Sequence, residues 1–190
     1  PLDVERVASL INDACDGLDE VSVNEVLDEA LKNLYDGVSI ADMRTSLVMS
    51  ARTKVEKEPN YSYVTARLLL NNMENEVGAF LDIKERKDRG KMYVEALAKT
   101  IDKGIELDFL NEELKSYDLN KLGKAILQER DFQFTYLGLQ TLYDRYFITC
   151  DEIRYELPQV FFMRVAMGLA LNEENRNERA IEFYKKHIDV

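Results

Sequence analysis

Tyr61-Ser-Tyr-Val-Thr-Ala-Arg-Leu-Leu-Leu-Asn-Asn-Met-Glu-Asn-Glu-Val-Gly-Ala-Phe80 is the stretch on which the fold turns. It holds no proline, and its run Leu68-Leu69-Leu70 is apolar on more than one face of any helix it forms. That predicts a long helix at the centre of a bundle rather than on its rim. Upstream, apolar residues again recur at helical spacing. Val4, Val7, Ala8, Ile11 and Cys15 share one face between Asp3 and Asp16, and Gly17 supplies the stop. Ser22 with Glu25 reads as a capping box ahead of Val23, Val26, Leu27, Ala30, Leu31 and Leu34, with Gly37 beyond. Ser39 with Asp42 opens a third helix through Met43, Leu47, Val48, Ala51 and Val55, and Pro59 separates it from the fourth.

Downstream the composition changes. Asp82 to Lys91 is almost entirely charged, which predicts a solvated boundary near residue 85 between two subdomains, 1–85 and 86–190. Further helices are predicted over 92–102, 108–116, 119–129, 134–146, 158–172 and 176–188. Pro158 suits a first turn, where its missing N–H costs nothing, and Asn175 with Glu178 is another N-terminal signal. Tyr146 to Leu157, rich in β-formers around Asp151-Glu152, predicts a short hairpin. The expected fold is all-α: two packed helical subdomains, about ten helices, and one hairpin at 146–157.

With 190 residues, 46% hydrophobic and 32% charged, the chain can bury a real core. A formal net charge of −11 argues against a nucleic-acid surface, which needs clustered Lys and Arg to displace counterions from phosphate. The apolar stretches Val160–Met163 and Val165–Leu171 are interrupted by Arg164 and fall short of the roughly 20 residues of a membrane span, so no membrane partner is expected. Two distant cysteines, Cys15 and Cys150, and the single histidine His187 are cytoplasmic usage rather than a disulfide or zinc framework. Pro1 stands where an initiator Met is usual, which points to a processed product or an excised fragment.

A search for catalytic groups finds little. A Cys150–His187 dyad would join residues on different elements, and a buried thiol with a surface imidazole is the commoner state. No phosphate-cradling glycine motif is present. The pairs Asp19-Glu20, Glu112-Glu113 and Glu173-Glu174 are sequence neighbours, which point apart on a helix and read as solvated faces. Inward-facing Glu-x-x-His motifs of a diiron bundle are lacking, so no metal is expected. Phe132, Phe134, Tyr136, Tyr143, Tyr146, Phe147 and Tyr155 crowd before and into the hairpin and read as packed core with hydroxyls reaching polar partners. Arg164, in an otherwise apolar helix beside Glu156, Pro158 and Gln159, must find an ion pair or a docking contact.

The segment Phe134-Thr-Tyr-Leu-Gly-Leu-Gln-Thr-Leu-Tyr-Asp-Arg-Tyr-Phe147, then Glu156-Leu-Pro-Gln159, then Phe162-Met-Arg-Val-Ala-Met-Gly-Leu169 resembles, in order and spacing, the all-helical N-terminal domain of the large subunit of aerobic ribonucleotide reductases. Ala180-Ile-Glu-Phe-Tyr184 resembles that family's last helix before its catalytic barrel, so the resemblance covers roughly 86–188. Leu2-Asp3, the Leu34-Tyr-Asp-Gly37 turn and Tyr61-Ser-Tyr-Val-Thr-Ala-Arg67 resemble the helical bundle of the ATP-cone that regulates overall activity in the same family. There the nucleotide site needs an opening β-hairpin, which here would precede Pro1, and helical Lys, Thr and Lys positions that are Val4, Ile40 and Asn75 in this chain. None of the three can pair with a triphosphate charge. Residues 1–85 therefore read as a degenerate or truncated cone retained for packing, with no cofactor expected and no ATP or dATP binding expected of it.

The resemblance implies an N-terminal regulatory or scaffolding part of an oxidoreductase that makes deoxyribonucleotides for DNA synthesis. The family's substrate loop and radical-forming cysteines belong to the barrel, and Cys15 and Cys150 match none of them, so this segment alone is expected to be inactive. Implied partners are the catalytic barrel of the large subunit and the radical-generating small subunit. Tyr136, Tyr143, Tyr146, Glu156, Gln159, Met163 and Arg164 are the expected docking residues toward the barrel, combining apolar area with an anchoring charge. The alternative is a free-standing helical interaction module without an enzymatic role.

Overall fold

The computed structural model describes residues 1–186. Among them are nine α-helices, two 3₁₀ turns and one two-stranded hairpin. The helices are α1 (Val4–Cys15), α2 (Val23–Leu31), α3 (Ile40–Arg52), α4 (Tyr61–Phe80), α5 (Arg89–Glu106), α6 (Leu119–Lys124), α7 (Tyr136–Arg145), α8 (Pro158–Leu169) and α9 (Arg176–Lys186). The strands are β1 (Thr149–Cys150) and β2 (Ile153–Arg154), paired antiparallel with Thr149 opposite Arg154. The expected all-α fold with a small hairpin is what the chain adopts.

The chain packs as two compact units, Pro1–Met73 with Phe132–Asp144, and Glu74–Asp131 with Arg145–Val190. This is a division by packing. It falls inside α4, whereas the boundary expected near residue 85 rests on the charged run from Asp82 to Lys91.

In the first unit the predicted capping groups act as expected. Ser22 Oγ accepts from the Glu25 amide (3.3 Å) and Ser39 Oγ from the Asp42 amide (3.0 Å). The buried core is Val7, Ile11, Val26, Ala30, Leu47, Ala51, Val64, Leu68, Leu69, Leu70, Met73 and Leu139. All three consecutive leucines are buried, which explains why this part of α4 tolerates no polar face. Tyr61 is buried with its hydroxyl accepting from the Ser22 amide (2.9 Å). Arg67 Nη1 donates to the carbonyls of Ala14 (3.3 Å) and Asp16 (2.7 Å), closing the C-terminal end of α1, where orphan carbonyls favour a cation.

In the second unit α5 is the hub: it packs on α6 and α8, and α8 packs on α9. Met92, Tyr93, Ala96, Leu97 and Ile101 of α5 meet Val160, Met163, Ala166 and Met167 of α8 and Ala180 and Tyr184 of α9 in one core. Gly123 brings α6 so close that an added Cβ would lie 2.8 Å from the Val94 Cα.

Several boundaries differ from the sequence expectation. Helix α5 starts at Arg89 instead of Met92, because Asp88 caps it by accepting from the Lys91 amide (3.1 Å); the exposed first turn is charged and hides in the charged run. The helix expected over 108–116 is only a 3₁₀ turn, Glu112–Ser116, since Asp108 takes a left-handed conformation (φ 60°) and Asn111 caps at Glu113 (2.9 Å). The helix expected over 119–129 stops at Lys124, and the Leu127 amide donates to the Tyr184 hydroxyl (3.0 Å) instead of a helical carbonyl. The hairpin is shorter than the 146–157 segment and turns through Asp151 and Glu152, both left-handed (φ 48° and 67°), the backbone sense that matches strand twist in a two-residue turn.

Candidate functional site

The docking residues expected from sequence fall in both units. Tyr136 and Tyr143 belong to the first unit. There the Tyr136 amide donates to Ser62 Oγ (3.1 Å), and the Arg52 guanidinium lies 5.3 Å from the Tyr136 ring centroid. Tyr146, Glu156, Gln159, Met163 and Arg164 belong to the second. Of these, Glu156, Gln159 and Met163 are completely buried and so form the packing beneath a surface, not the surface itself.

The ion pair anticipated for Arg164 is present. Its Nε donates to Glu156 Oε2 and its Nη2 to Oε1 (3.0 Å), while the Ile148 amide donates to the same Oε1 (3.1 Å). A fully buried carboxylate thus has three donors, and the fork-shaped guanidinium ties α8 to the start of the hairpin. The same guanidinium lies 5.3 Å from the Phe161 ring centroid.

Above this pair lies an apolar strip. Tyr146 is 58% exposed and tilts against Phe161, with centroids 6.3 Å apart. Phe161, Val165 and Leu169 follow at four-residue steps, so they stand one above another on α8; Val165 and Leu169 are 41% and 65% exposed. Phe162 contacts Phe161 edge-on (5.1 Å). Sequence reasoning missed Phe161, Val165 and Leu169 because α8 is apolar on nearly every side, so periodicity does not mark which side stays open. The four-residue ladder after Arg164 was the available signal.

A second grouping lies deeper in the same unit. Asp131, fully buried, accepts from Tyr93 Oη (2.5 Å) and Arg89 Nη2 (2.8 Å) at Oδ2, and from Gln159 Nε2 (3.0 Å) at Oδ1. Arg89 Nη1 donates to Glu74, and Tyr184 Oη donates to Gln159 Oε1 (2.7 Å). Burial pushes the Asp131 carboxyl up to about 6 and raises that of Glu74, against the pull of Arg89 on both. Burial likewise lifts the Tyr184 hydroxyl to about 12.

No nucleophile–base arrangement accompanies these groups among the described residues. Cys15 is buried, which raises its thiol pKa, and Cys150 is half-buried; both are free. His187 lies outside the described residues. No group of three or more His, Cys, Asp or Glu side chains among the described residues could hold a metal ion, and no helix there is long and apolar enough to cross a membrane.

In the first unit, the cone-like motifs meet: the Leu2 amide donates to Asp36 Oδ1 (2.6 Å) within the turn that Gly37 closes at φ 91°. Beside them a cavity of about 250 Å³ is lined by Leu2, Val7, Val38, Ile40 and Met43 together with Asp3 and Arg6. Val4 and Ile40 are 41% and 54% exposed.

Residues 132–187 match the family described as ribonucleotide reductase, all-alpha domain. The chain is 40% identical over 90% of its length to the ribonucleoside-diphosphate reductase subunit alpha of Chlamydia trachomatis, of which it covers 16%. It is 36% identical over 97% of its length to the subunit alpha of Helicobacter pylori, of which it covers 22%. It is 28% identical over 87% of its length to the large subunit of Danio rerio, of which it covers 20%. The all-α segment built on α7, the hairpin, α8 and α9 therefore has the class of a ribonucleotide reductase helical domain. The chain corresponds to the N-terminal region of the large, or alpha, subunit of that family, and it spans about a fifth or less of the length of relatives such as these.

Proposed function

We propose that this chain is the non-catalytic, regulatory and scaffolding N-terminal portion of a cytoplasmic ribonucleoside-diphosphate reductase large subunit. In this reading the reduction of ribonucleotides to deoxyribonucleotides takes place on a catalytic barrel elsewhere in that subunit, with a radical-generating small subunit as the second partner. The observation that carries it is the similarity along nine-tenths of the chain to alpha subunits, 40% identical in one case.

The face that docks on the barrel is the strip Tyr146, Phe161, Val165 and Leu169, anchored by Arg164. Fully burying a large aliphatic side chain contributes about 1.5–3 kcal/mol, so the open parts of Val165 and Leu169 each supply on the order of 1 kcal/mol on docking, with the two rings adding to it. Uncovered, the strip favours self-association. Residues 1–85 act as a degenerate cone: Val4, Ile40 and Asn75 carry no charge for a triphosphate, and the cavity beside the turn is lined mostly by apolar residues, with Arg6 its one cationic side chain and Asp3 opposing it.

Two measurements test these readings. Supplying the chain in trans to a large subunit of this family shortened by the matching region restores reductase activity, and Leu169→Asp weakens the restoration. No restoration by the parent chain sinks the proposal. In calorimetric titration with ATP and with dATP the chain gives no heat of binding, and micromolar affinity for either overturns the degenerate-cone reading.

A further inference from the structure

The cluster of Glu74, Arg89 and Asp131 in the second unit is unbalanced: two carboxylates share one guanidinium. Asp131 has no exposed side-chain surface, and Glu74 and Arg89 keep only 17% and 25% of theirs. A buried excess negative charge is costly, and the ordinary relief is to take up a proton. Glu74 and Asp131 are also the two ends of the chain segment Glu74–Asp131 that the second unit contributes in one piece, so Arg89 staples the ends of that segment together.

Among the described residues, the side chains other than Arg89 that bond Asp131 are neutral. From α5 come Arg89 and the Tyr93 hydroxyl; from α8, the neutral amide of Gln159; from α9, Tyr184, one residue further along the chain of hydrogen bonds. On its own turn, Arg130 turns its guanidinium to the carbonyls of Tyr184 (3.2 Å) and Lys185 (3.2 Å), and Glu129 adds negative charge. Arg86 lies near Glu74 and its charge draws that carboxyl down in part, but it is exposed and bonds main-chain carbonyls of Ile83 (3.0 Å) and Glu74 (3.4 Å).

We propose that the Glu74–Arg89–Asp131 staple is a proton-binding switch, in which uptake of one proton by the paired carboxylates reverses the hydrogen bonds around Asp131. In the ionised state Asp131 only accepts, as the three donors require. Once protonated it must donate, and its Oδ1 faces another donor, Gln159 Nε2. The Gln159 amide then turns over, Oε1 accepts from Asp131, and Nε2 donates to Tyr184 Oη. That hydroxyl already accepts from the Leu127 amide, so its own proton loses its acceptor. Proton uptake at the staple thereby reverses a hydrogen-bond chain ending where α6 gives way to the 3₁₀ turn.

The sign follows from linkage. Both carboxyls titrate higher in the folded chain than in the unfolded one, so the folded state binds the extra proton between the ordinary carboxylate range and about pH 6. Folding is favoured as pH falls from 7.5 toward 5, by up to about tenfold in the equilibrium constant per pH unit for one proton. The test is urea unfolding of the full chain at pH 7.5, 6.5 and 5.5, with NMR of the Leu127 amide alongside. The parent chain should show a rising midpoint and a Leu127 shift that titrates near pH 6. Asp131→Asn, which mimics the protonated form, and Glu74→Gln, which removes the excess charge at the more open end, should each abolish both. Glu74→Gln still decides the matter if Asp131→Asn does not fold. A flat midpoint in the parent, or a rise that survives in the folded variants, overturns the proposal.

Discussion

Replacing Arg164 by methionine isolates the energetics of the pair that fastens the hairpin to α8. Methionine keeps the apolar stem and packing volume but removes both donors to Glu156, a carboxylate with no exposed side-chain surface. Removing one partner of a buried pair costs about 3–5 kcal/mol, because a desolvated charge is left behind. Here Oε1 keeps the Ile148 amide at 3.1 Å, which places the expected loss at the lower end, about 3 kcal/mol. Loss of the contact with the Phe161 ring adds about 0.5–1 kcal/mol. With a urea m-value of about 1–3 kcal/mol/M, the unfolding midpoint should fall by about 1–4 M. Adding Glu156→Gln removes the stranded charge while preserving an acceptor for the Ile148 amide, so the double variant should recover most of the loss. Far-UV circular dichroism gives the midpoints, and exchange of the Ile148 amide reports the hairpin directly. A single variant within 1 kcal/mol of the parent, or a double variant no more stable than the single, would refute this account of the pair.

Three further outcomes follow from named contacts. Tyr184→Phe leaves the Leu127 amide and Gln159 Oε1 without their shared hydroxyl and should cost about 2 kcal/mol in unfolding free energy. Gly123→Ala drives a methyl to 2.8 Å from the Val94 backbone and should cost about 1–3 kcal/mol, less the better helix propensity of alanine; a neutral result would mean that α6 can move away from α5. Glu95 accepts from Lys99 and from the amides of Lys84 (3.0 Å) and Glu85 (3.1 Å), which hold its carboxyl down at about 2. Its stabilisation is present above the ordinary value of 4.5 and is lost as pH falls toward 2, so Glu95→Gln should flatten acid unfolding over that window in circular dichroism.

What the sequence disclosed and what it concealed divide along a physical line. Helices whose apolar residues faced one way and whose starts carried local signals, such as Ser22 with Glu25 and Ser39 with Asp42, could be read almost to the residue at their N-terminal ends, because the groups that fix them lie within a turn of each other. One error arose where a distant side chain took over a local hydrogen bond. Nothing near Leu127 announces that its amide belongs to Tyr184, and that substitution is what ends α6 early. The side of α8 left open was equally hard to read: Arg164 needs a partner, and that partner, Glu156, is buried together with Gln159 and Met163, while Val165 and Leu169 stay exposed. In a helix as apolar as α8, hydrophobicity cannot choose the buried side; the buried charge chooses it. The Glu156 pair orients α8 from its hairpin end, and Asp131 orients it from the other side through Gln159. Two costly buried carboxylates thus do for α8 what a polar stripe does for an ordinary amphipathic helix, and the strip left open on its far side is a consequence of their positions.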